Sequence, residues 1–184
     1  MKGFVKQVAV LSLGALAFAA PVYAQAPQFA LGGGVGIPLG DFDTFAKMGI
    51  HGLAAVSFKP ASLPVGIQVD GNFAQFSDDT PADIKDRMLF ATANAVYTFK
   101  TAAASKLHPY LIGGVGVYNN KLTGNDAPTT AASNTDLGIN AGAGFNIAAG
   151  GASVFVEGRF HDVFTDGGST QFVPLTVGLR FGGK

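Results

Sequence analysis

Apolar and polar residues alternate along most of this chain with a period of two. The clearest case is residues 136–147, where the odd positions from Leu137 to Ile147 are apolar and the even positions from Asp136 to Asn146 are small or polar. Successive side chains of a strand point to opposite faces, whereas the residues of one helix face recur about every 3.6 positions. The segment is therefore predicted to be a strand with one apolar face.

Eight segments show this pattern, and each is close to the roughly 9–11 residues that a tilted strand needs to cross a bilayer. They cover residues 28–37, 48–58, 64–75, 88–99, 109–118, 136–147, 152–162 and 171–181. The connections alternate between longer ones (38–47, 76–87, 119–135 and 163–170) and shorter ones (59–63, 100–108 and 148–151). Long external loops and short periplasmic turns are typical of outer-membrane barrels. The pattern predicts an all-β, eight-stranded antiparallel up-and-down transmembrane β-barrel with both termini in the periplasm.

The first 24 residues have the composition of a secretory signal peptide. Lys2 and Lys6 precede an apolar run from Val8 to Ala20, and small residues then lead to Ala24. The apolar run is shorter than the roughly 20 residues of a membrane-spanning helix. We expect residues 1–24 to be a signal peptide and residues 25–184 to form one outer-membrane β-barrel domain.

Composition narrows the class further. The chain is 48% hydrophobic and 13% charged and has no cysteine. The lack of cysteine excludes a disulfide framework, a thiol nucleophile and a lipid-modified cysteine. After Ala24 no run approaches 18 apolar residues, so only a closed barrel remains as a spanning structure. The charges form no basic patch of the kind that binds nucleic acid.

Aromatic residues recur on the apolar parity near the predicted periplasmic ends of the strands. Such rings form girdles at the membrane interface in outer-membrane barrels. The expected lipid-facing girdle consists of Phe29, Phe58, Phe99, Phe145 and Phe181.

Four segments resemble the small outer-membrane β-barrel domain family that includes the OmpA transmembrane domain and the OmpX/Ail group. They are residues 36–42 (GIPLGDF), 109–116 (PYLIGGVG), 156–160 (VEGRF) and 173–181 (VPLTVGLRF). The last segment resembles the assembly signal read by the outer-membrane insertion machinery, although residues 182–184 follow its closing aromatic. The resemblance implies an outer-membrane barrel, with membrane lipid and that machinery as its partners.

The opposite parity of the strands carries most of the polar side chains, which we expect inside the barrel. A lumen network is predicted from Asp70, Asn94, Asn140, Glu157, Arg159, His161 and Arg180, with Glu157 and Arg159 at its centre. Gln68, Asn72, Thr92, His51 and Thr176 share this parity. Unpaired burial of a charge costs several kcal/mol, so these groups are expected to bond to one another.

The same strand suggests an alternative, because Ser153, Glu157 and His161 resemble the residues of Ser-His-Glu hydrolases that modify lipid A. Ser153 and His161 lie eight residues apart, which at ~3.3 Å per residue is about 26 Å. They are too far apart to share a proton. We therefore expect no catalytic, cofactor-binding or metal-binding residue; the glycine runs, such as 31–36, lack the helix and the Lys or Asp partner of a nucleotide loop.

The favoured function is a monomeric, non-enzymatic outer-membrane barrel with a structural or surface-interaction role through its external loops. Three alternatives stay open. They are a lipid-modifying enzyme, a small pore and a soluble lipocalin-like barrel. Eight strands enclose an interior just wide enough for side chains to fill, which disfavours the pore.

N-terminal sequencing of the exported protein tests the signal-peptide prediction. We expect cleavage of the Ala24–Gln25 bond, because small residues precede it at the positions that signal peptidase reads. A mature chain that begins outside residues 23–27 would contradict this prediction.

Overall fold

The chain forms a closed barrel of eight antiparallel strands, each paired with its neighbours in sequence. The computed structural model describes residues 26–77, 84–102, 104–128 and 133–183. The strands are β1 (Gln28–Leu39), β2 (Gly49–Phe58), β3 (Gly66–Ser77), β4 (Lys85–Thr98), β5 (Leu107–Thr123), β6 (Asn134–Ala149), β7 (Ala152–Thr165) and β8 (Gly168–Gly182). The prediction of an eight-stranded up-and-down barrel is confirmed. The predicted signal peptide lies outside the described residues.

β1 and β8 close the barrel in a continuous ladder that runs from Gln28 opposite Gly182 to Leu39 opposite Gln171. Closure leaves no strand edge unpaired, which is the condition for backbone to cross a bilayer. The first and last described residues lie at one end of the barrel, here called the terminal end. The opposite end, where β1–β2, β3–β4, β5–β6 and β7–β8 are connected, is called the loop end.

The alternation seen in the sequence sets which side chains point outward. In β6, Leu137 and Ile139 are exposed on the outside, whereas Gly138 and Asn140 are buried inside. In β8, Val177 and Leu179 are exposed and Thr176 and Arg180 are buried. The outer wall is therefore aliphatic and the interior carries the polar groups.

The strand bounds predicted from the sequence are too short at the loop end. β5 continues to Thr123 instead of 118, and β7 and β8 continue to a turn at residues 166–167 instead of a loop over 163–170. Asn119 opposite Thr135 shows that polar residues extend the ladder. Strand pairing needs only backbone hydrogen bonds, so a strand continues beyond the point where its apolar face ends.

The loop-end half of the interior is an aromatic layer. Phe42, on the short 3-10 helix Gly40–Thr44 after β1, packs edge-on against Phe76 with ring centroids 4.9 Å apart. His161 stacks on Phe172 at 4.9 Å. The buried apolar cluster contains Phe42, Ala46, Ala74, Phe76, Met88, Phe90, Tyr118, Val163 and Phe172. These rings fill the barrel cross-section at this level, which argues against an open pore.

Inward-facing glycines make the space that these rings occupy. A Cβ on Gly36 would lie 2.8 Å from the Phe76 ring, and one on Gly144 would lie 2.6 Å from the Tyr110 ring. Real Cβ atoms do not approach so closely, so only glycine fits opposite these aromatic side chains. These glycines thus make room for large rings in a narrow barrel.

No helix among the described residues is long and apolar enough to cross a membrane.

A charge at the middle of β8 tests the outward face. Val177 is 56% exposed on the outside, and the sequence predicts that this face contacts lipid. We expect Val177→Arg to destabilise folding into phospholipid bilayers by about 2–4 kcal/mol, as measured by urea unfolding in vesicles. Ser169→Arg, on the same strand and outward face but at the loop end, should cost at most about 1 kcal/mol. Equal effects of the two substitutions would contradict the orientation.

Candidate functional site

A buried carboxylate, Asp70 on β3, is the centre of the polar interior. Its side chain is 1% exposed, and each oxygen accepts hydrogen bonds from side chains of β3, β4 and β7. Residues two apart on one strand share a face, and so do residues opposite one another on paired strands. The amide and hydroxyl groups of β3 and β4 therefore converge on the carboxylate of Asp70. The donors are Gln68 at 3.0 Å, Asn72 at 2.6 Å, Thr92 at 2.6 Å, Asn94 at 2.9 Å and Arg159 at 3.1 Å.

Arg159 on β7 joins this carboxylate to a second one. Its Nη1 lies 3.1 Å from Asp70 Oδ2, and its Nη2 lies 2.6 Å from Glu157 Oε1. Nε of Arg159 also donates to Glu157 at 3.0 Å. Glu157 in turn accepts the hydroxyl hydrogen of Tyr110 on β5 at 2.9 Å. The network therefore connects β3, β4, β5 and β7 across the interior of the barrel.

Arg180 belongs to the same interior but forms no ion pair with a carboxylate of the described residues. Its Nη2 donates to Gln68 Oε1 at 3.3 Å, and Gln68 donates to Asp70. Arg180, a predicted member of the lumen network, is thus linked to Asp70 through an amide. His51 lies beside this chain of groups, with its ring nitrogens 3.3 Å from Asn72 Oδ1 and 3.2 Å from Thr176 Oγ1.

His161 and Asn140 are buried inside the barrel but lie apart from the ion pairs. His161 Nδ1 is 2.8 Å from the Tyr118 hydroxyl oxygen, within the aromatic layer. The side-chain amide of Asn140 has no hydrogen-bond partner among the described residues. Of the seven predicted lumen residues, the structure brings Asp70, Asn94, Glu157 and Arg159 together and links Arg180 to them through Gln68.

The predicted girdle residues lie near the terminal end. Phe29 and Phe181 stack with centroids 6.0 Å apart, and Phe99 packs edge-on against Tyr97 at 5.2 Å. Phe29, Phe99, Phe145 and Phe181 are exposed, whereas Phe58 is half-buried at the mouth of the barrel. That these rings meet the membrane interface stays a prediction.

Sequence reasoning missed the aromatic residues of the interior. The sequence pattern places Phe76 in a predicted loop. The predicted lumen network does not include Phe90, Tyr118 or Phe172. The signal was present, because Phe76, Phe90 and Phe172 share the parity of the buried polar residues on their strands, and Tyr118 shares the parity of Tyr110 on β5. Tyr110, which anchors Glu157, follows the same parity.

The arrangement offers little chemistry to a substrate. Ser153 and His161 lie at different levels of β7, and the His161 ring is engaged by Tyr118 and Phe172. The part of the chain that the structure describes holds no group of three or more His, Asp or Glu side chains placed to bind a metal ion. The buried groups bond to one another, which stabilises one arrangement of strands.

Removal of the central guanidinium tests this network. Arg159→Met should destabilise the barrel by about 3–5 kcal/mol, because it leaves Asp70 and Glu157 buried without a cation. The triple variant Asp70→Asn, Glu157→Gln, Arg159→Met removes all three charges and should recover most of that loss in urea unfolding. Ser153→Ala, on the same strand and inward face, serves as the control. A cost below about 1 kcal/mol for Arg159→Met would mean that water screens the pair.

The outer membrane protein beta-barrel domain model matches residues 8–181 of the chain. Among solved structures, Neisserial surface protein A (NspA) is similar over 87% of this chain and 99% of its own, with 13% identity and a TM-score of 0.63. A major outer membrane protein from Thermus thermophilus is similar over 84% and 98%, with 14% identity and a TM-score of 0.56. The outer membrane enzyme PagL is similar over 85% and 99%, with 15% identity and a TM-score of 0.48.

At these identities the structural neighbours show the fold alone. No curated protein matches the sequence. The family match, however, covers nearly the whole chain. It excludes the alternative of a soluble lipocalin-like barrel. The chain belongs to the outer membrane protein β-barrel domain family and is an eight-stranded barrel of the outer membrane.

Proposed function

We propose that this protein is a non-enzymatic outer-membrane barrel whose loop end contacts molecules outside the cell. The main support for the proposal is the set of exposed side chains at the loop end, which an outside partner could reach. The loop end exposes the apolar side chains of Phe45, Met48 and Leu122, whereas most of the buried polar groups bond to one another inside the barrel. Function in such scaffolds depends on the exposed connections rather than on the fold.

The positions of the histidines favour this proposal over a lipid-modifying enzyme. The chain has three histidines, and His51, His108 and His161 all lie on the inward parity of their strands. His108 Nδ1 lies 2.9 Å from Thr101 Oγ1 at the terminal end. A hydrolase of the Ser-His-Glu type needs a histidine beside a serine that lipid can reach. The outward face of the described strands has no histidine to serve as that base.

An apolar surface lies at the loop-end mouth. Phe45 and Met48 of the β1–β2 connection are 54% and 62% exposed, and Leu122 on β5 is 43% exposed. Phe45 and Leu122 border a recess of about 50 Å³, into which Asp86 also projects. Asp86 Oδ1 has no hydrogen-bond partner among the described residues. The surface therefore suits a partner that presents an apolar group.

Basic side chains lie on the outer wall close to this surface. Arg87 on β4 is opposite Lys121 on β5, and both follow the outward parity beyond the aliphatic part of the strands. Cationic side chains at this level attract the anionic headgroups of the surrounding lipid. This pair would hold the barrel at a fixed depth and so keep the apolar surface outside the membrane.

Cells that display the protein provide the test. Wild-type protein should increase retention of the cells on polystyrene wells, and the variant Phe45→Ser, Met48→Ser, Leu122→Ser should lose at least half of that increase. Leu63→Ser removes a comparably exposed apolar side chain at the terminal end and should leave retention unchanged. Surface amounts are matched by flow cytometry. Equal retention by the two variants would contradict a role for the loop end.

Mass spectrometry of lipid A from the same cells tests the non-enzymatic part of the proposal. We expect the acyl chains to be identical with and without the protein. Loss or gain of an acyl chain on expression would establish the enzyme alternative.

A further inference from the structure

A cavity of about 230 Å³ opens at the terminal end of the barrel, at the opposite end from the surface of the proposed function. Its lining includes Arg180 at the inner side, Lys59 near the entrance, and the polar residues Gln28, Ser57 and Thr98. None of the described residues that line it is acidic. The cavity is thus a polar space with two cationic side chains.

Arg180 is the unusual member of this lining. Its side chain is 7% exposed, and its only described hydrogen bond runs from Nη2 to Gln68 at 3.3 Å. The guanidinium carbon lies 5.5 Å from the Tyr110 ring centroid and 5.4 Å from that of Phe155. These rings attract the positive charge but accept no hydrogen bond in the plane of the guanidinium. Nε has no hydrogen-bond partner among the described residues.

The nearby buried carboxylates are already engaged. Arg159 forms the ion pairs with Asp70 and Glu157, at 3.1 and 2.6 Å. No described carboxylate lies within ion-pair distance of Arg180. A guanidinium has five N–H donors in a planar fork, and an unpaired buried charge is costly. Arg180 therefore has unused donors at the wall of a cavity that is open to solvent.

We propose that this cavity binds a small anion, a carboxylate or a phosphate group, on the guanidinium of Arg180. Arginine binds both groups through paired N–H bonds, and Lys59 adds a second positive charge at the entrance. The hydroxyls of Ser57 and Thr98 are further donors on the wall. The space holds several non-hydrogen atoms, which fits inorganic phosphate, a short organic acid or a lipid phosphate headgroup.

The experiment reads the Arg180 side chain directly. The chain has three arginines, Arg87, Arg159 and Arg180, so ¹⁵N-arginine labelling gives three Nε–H signals in the folded protein. They are assigned with Arg87→Lys and Arg180→Lys. The protein in phosphatidylcholine nanodiscs is titrated with sodium phosphate, sodium succinate and dihexanoyl phosphatidylglycerol. Sodium chloride at matched ionic strength is the reference.

We expect a saturable shift of the Arg180 signal with at least one of the three anions, while the Arg159 signal stays within its chloride range. Response to phosphate alone identifies a free phosphate, response to succinate an organic acid, and response to the short-chain lipid alone a headgroup. If no anion exceeds chloride, or if Arg159 shifts as much as Arg180, the proposal is overturned.

Variants at the entrance provide a readout that does not depend on the folding of Arg180 variants. Lys59→Gln should weaken the apparent affinity at least threefold. Lys106→Gln removes the same charge at the same end but away from the cavity, and it should leave the affinity unchanged. Equal effects of the two variants would show general screening instead of a site and would overturn the proposal. Loss of the cell-retention phenotype would not bear on this result, because the two surfaces lie at opposite ends.

Discussion

The burial of ionised groups inside a barrel of eight strands is the constraint on which the rest of the structure depends. Asp70 and Glu157 are 1% and 3% exposed, and Arg159 lies between them. Two buried carboxylates require a cation and a full set of donors, because an unpaired charge at this depth costs several kcal/mol. Strands β3, β4, β5 and β7 must therefore adopt the register that brings these groups together.

The aromatic layer on the loop-end side of this network also helps to stabilise the buried charges. Phe76, Phe90 and Phe172 exclude water from the loop-end side of the ion pairs, and a water-poor surrounding strengthens the bonds between the charges. Gly36 allows the Phe76 ring to fit, since a Cβ at that position would collide with it. Packing and electrostatics are thus coupled, because the rings that exclude water from the ion pairs include Phe76, whose fit depends on Gly36.

This division of the interior leaves groups with unused bonding capacity at both ends of the barrel. The side chains of Asp70, Glu157 and Arg159 are bonded to one another and to neighbouring donors inside the barrel. Phe45, Met48 and Leu122 at the loop end are apolar groups without a covering partner among the described residues, and Arg180 at the terminal end has donors without an acceptor. The two proposals concern the groups whose bonding capacity the fold leaves unused.

The sequence by itself determined the number of strands, their order and the parity that separates the inside from the outside, because these follow from the local alternation of side chains. It also indicated that Asp70, Glu157 and Arg159 share the interior. It did not determine the loop-end bounds of β5, β7 and β8, since polar residues continue a ladder as well as apolar ones do. Only the tertiary structure showed that Arg159 bridges both carboxylates while Arg180 pairs with neither of them. Both arginines face inward, and which of them pairs with the carboxylates depends on strand register and on distances across the barrel. Arg159 and Asp70 are 89 positions apart in the chain, so their contact leaves no local signal in the sequence.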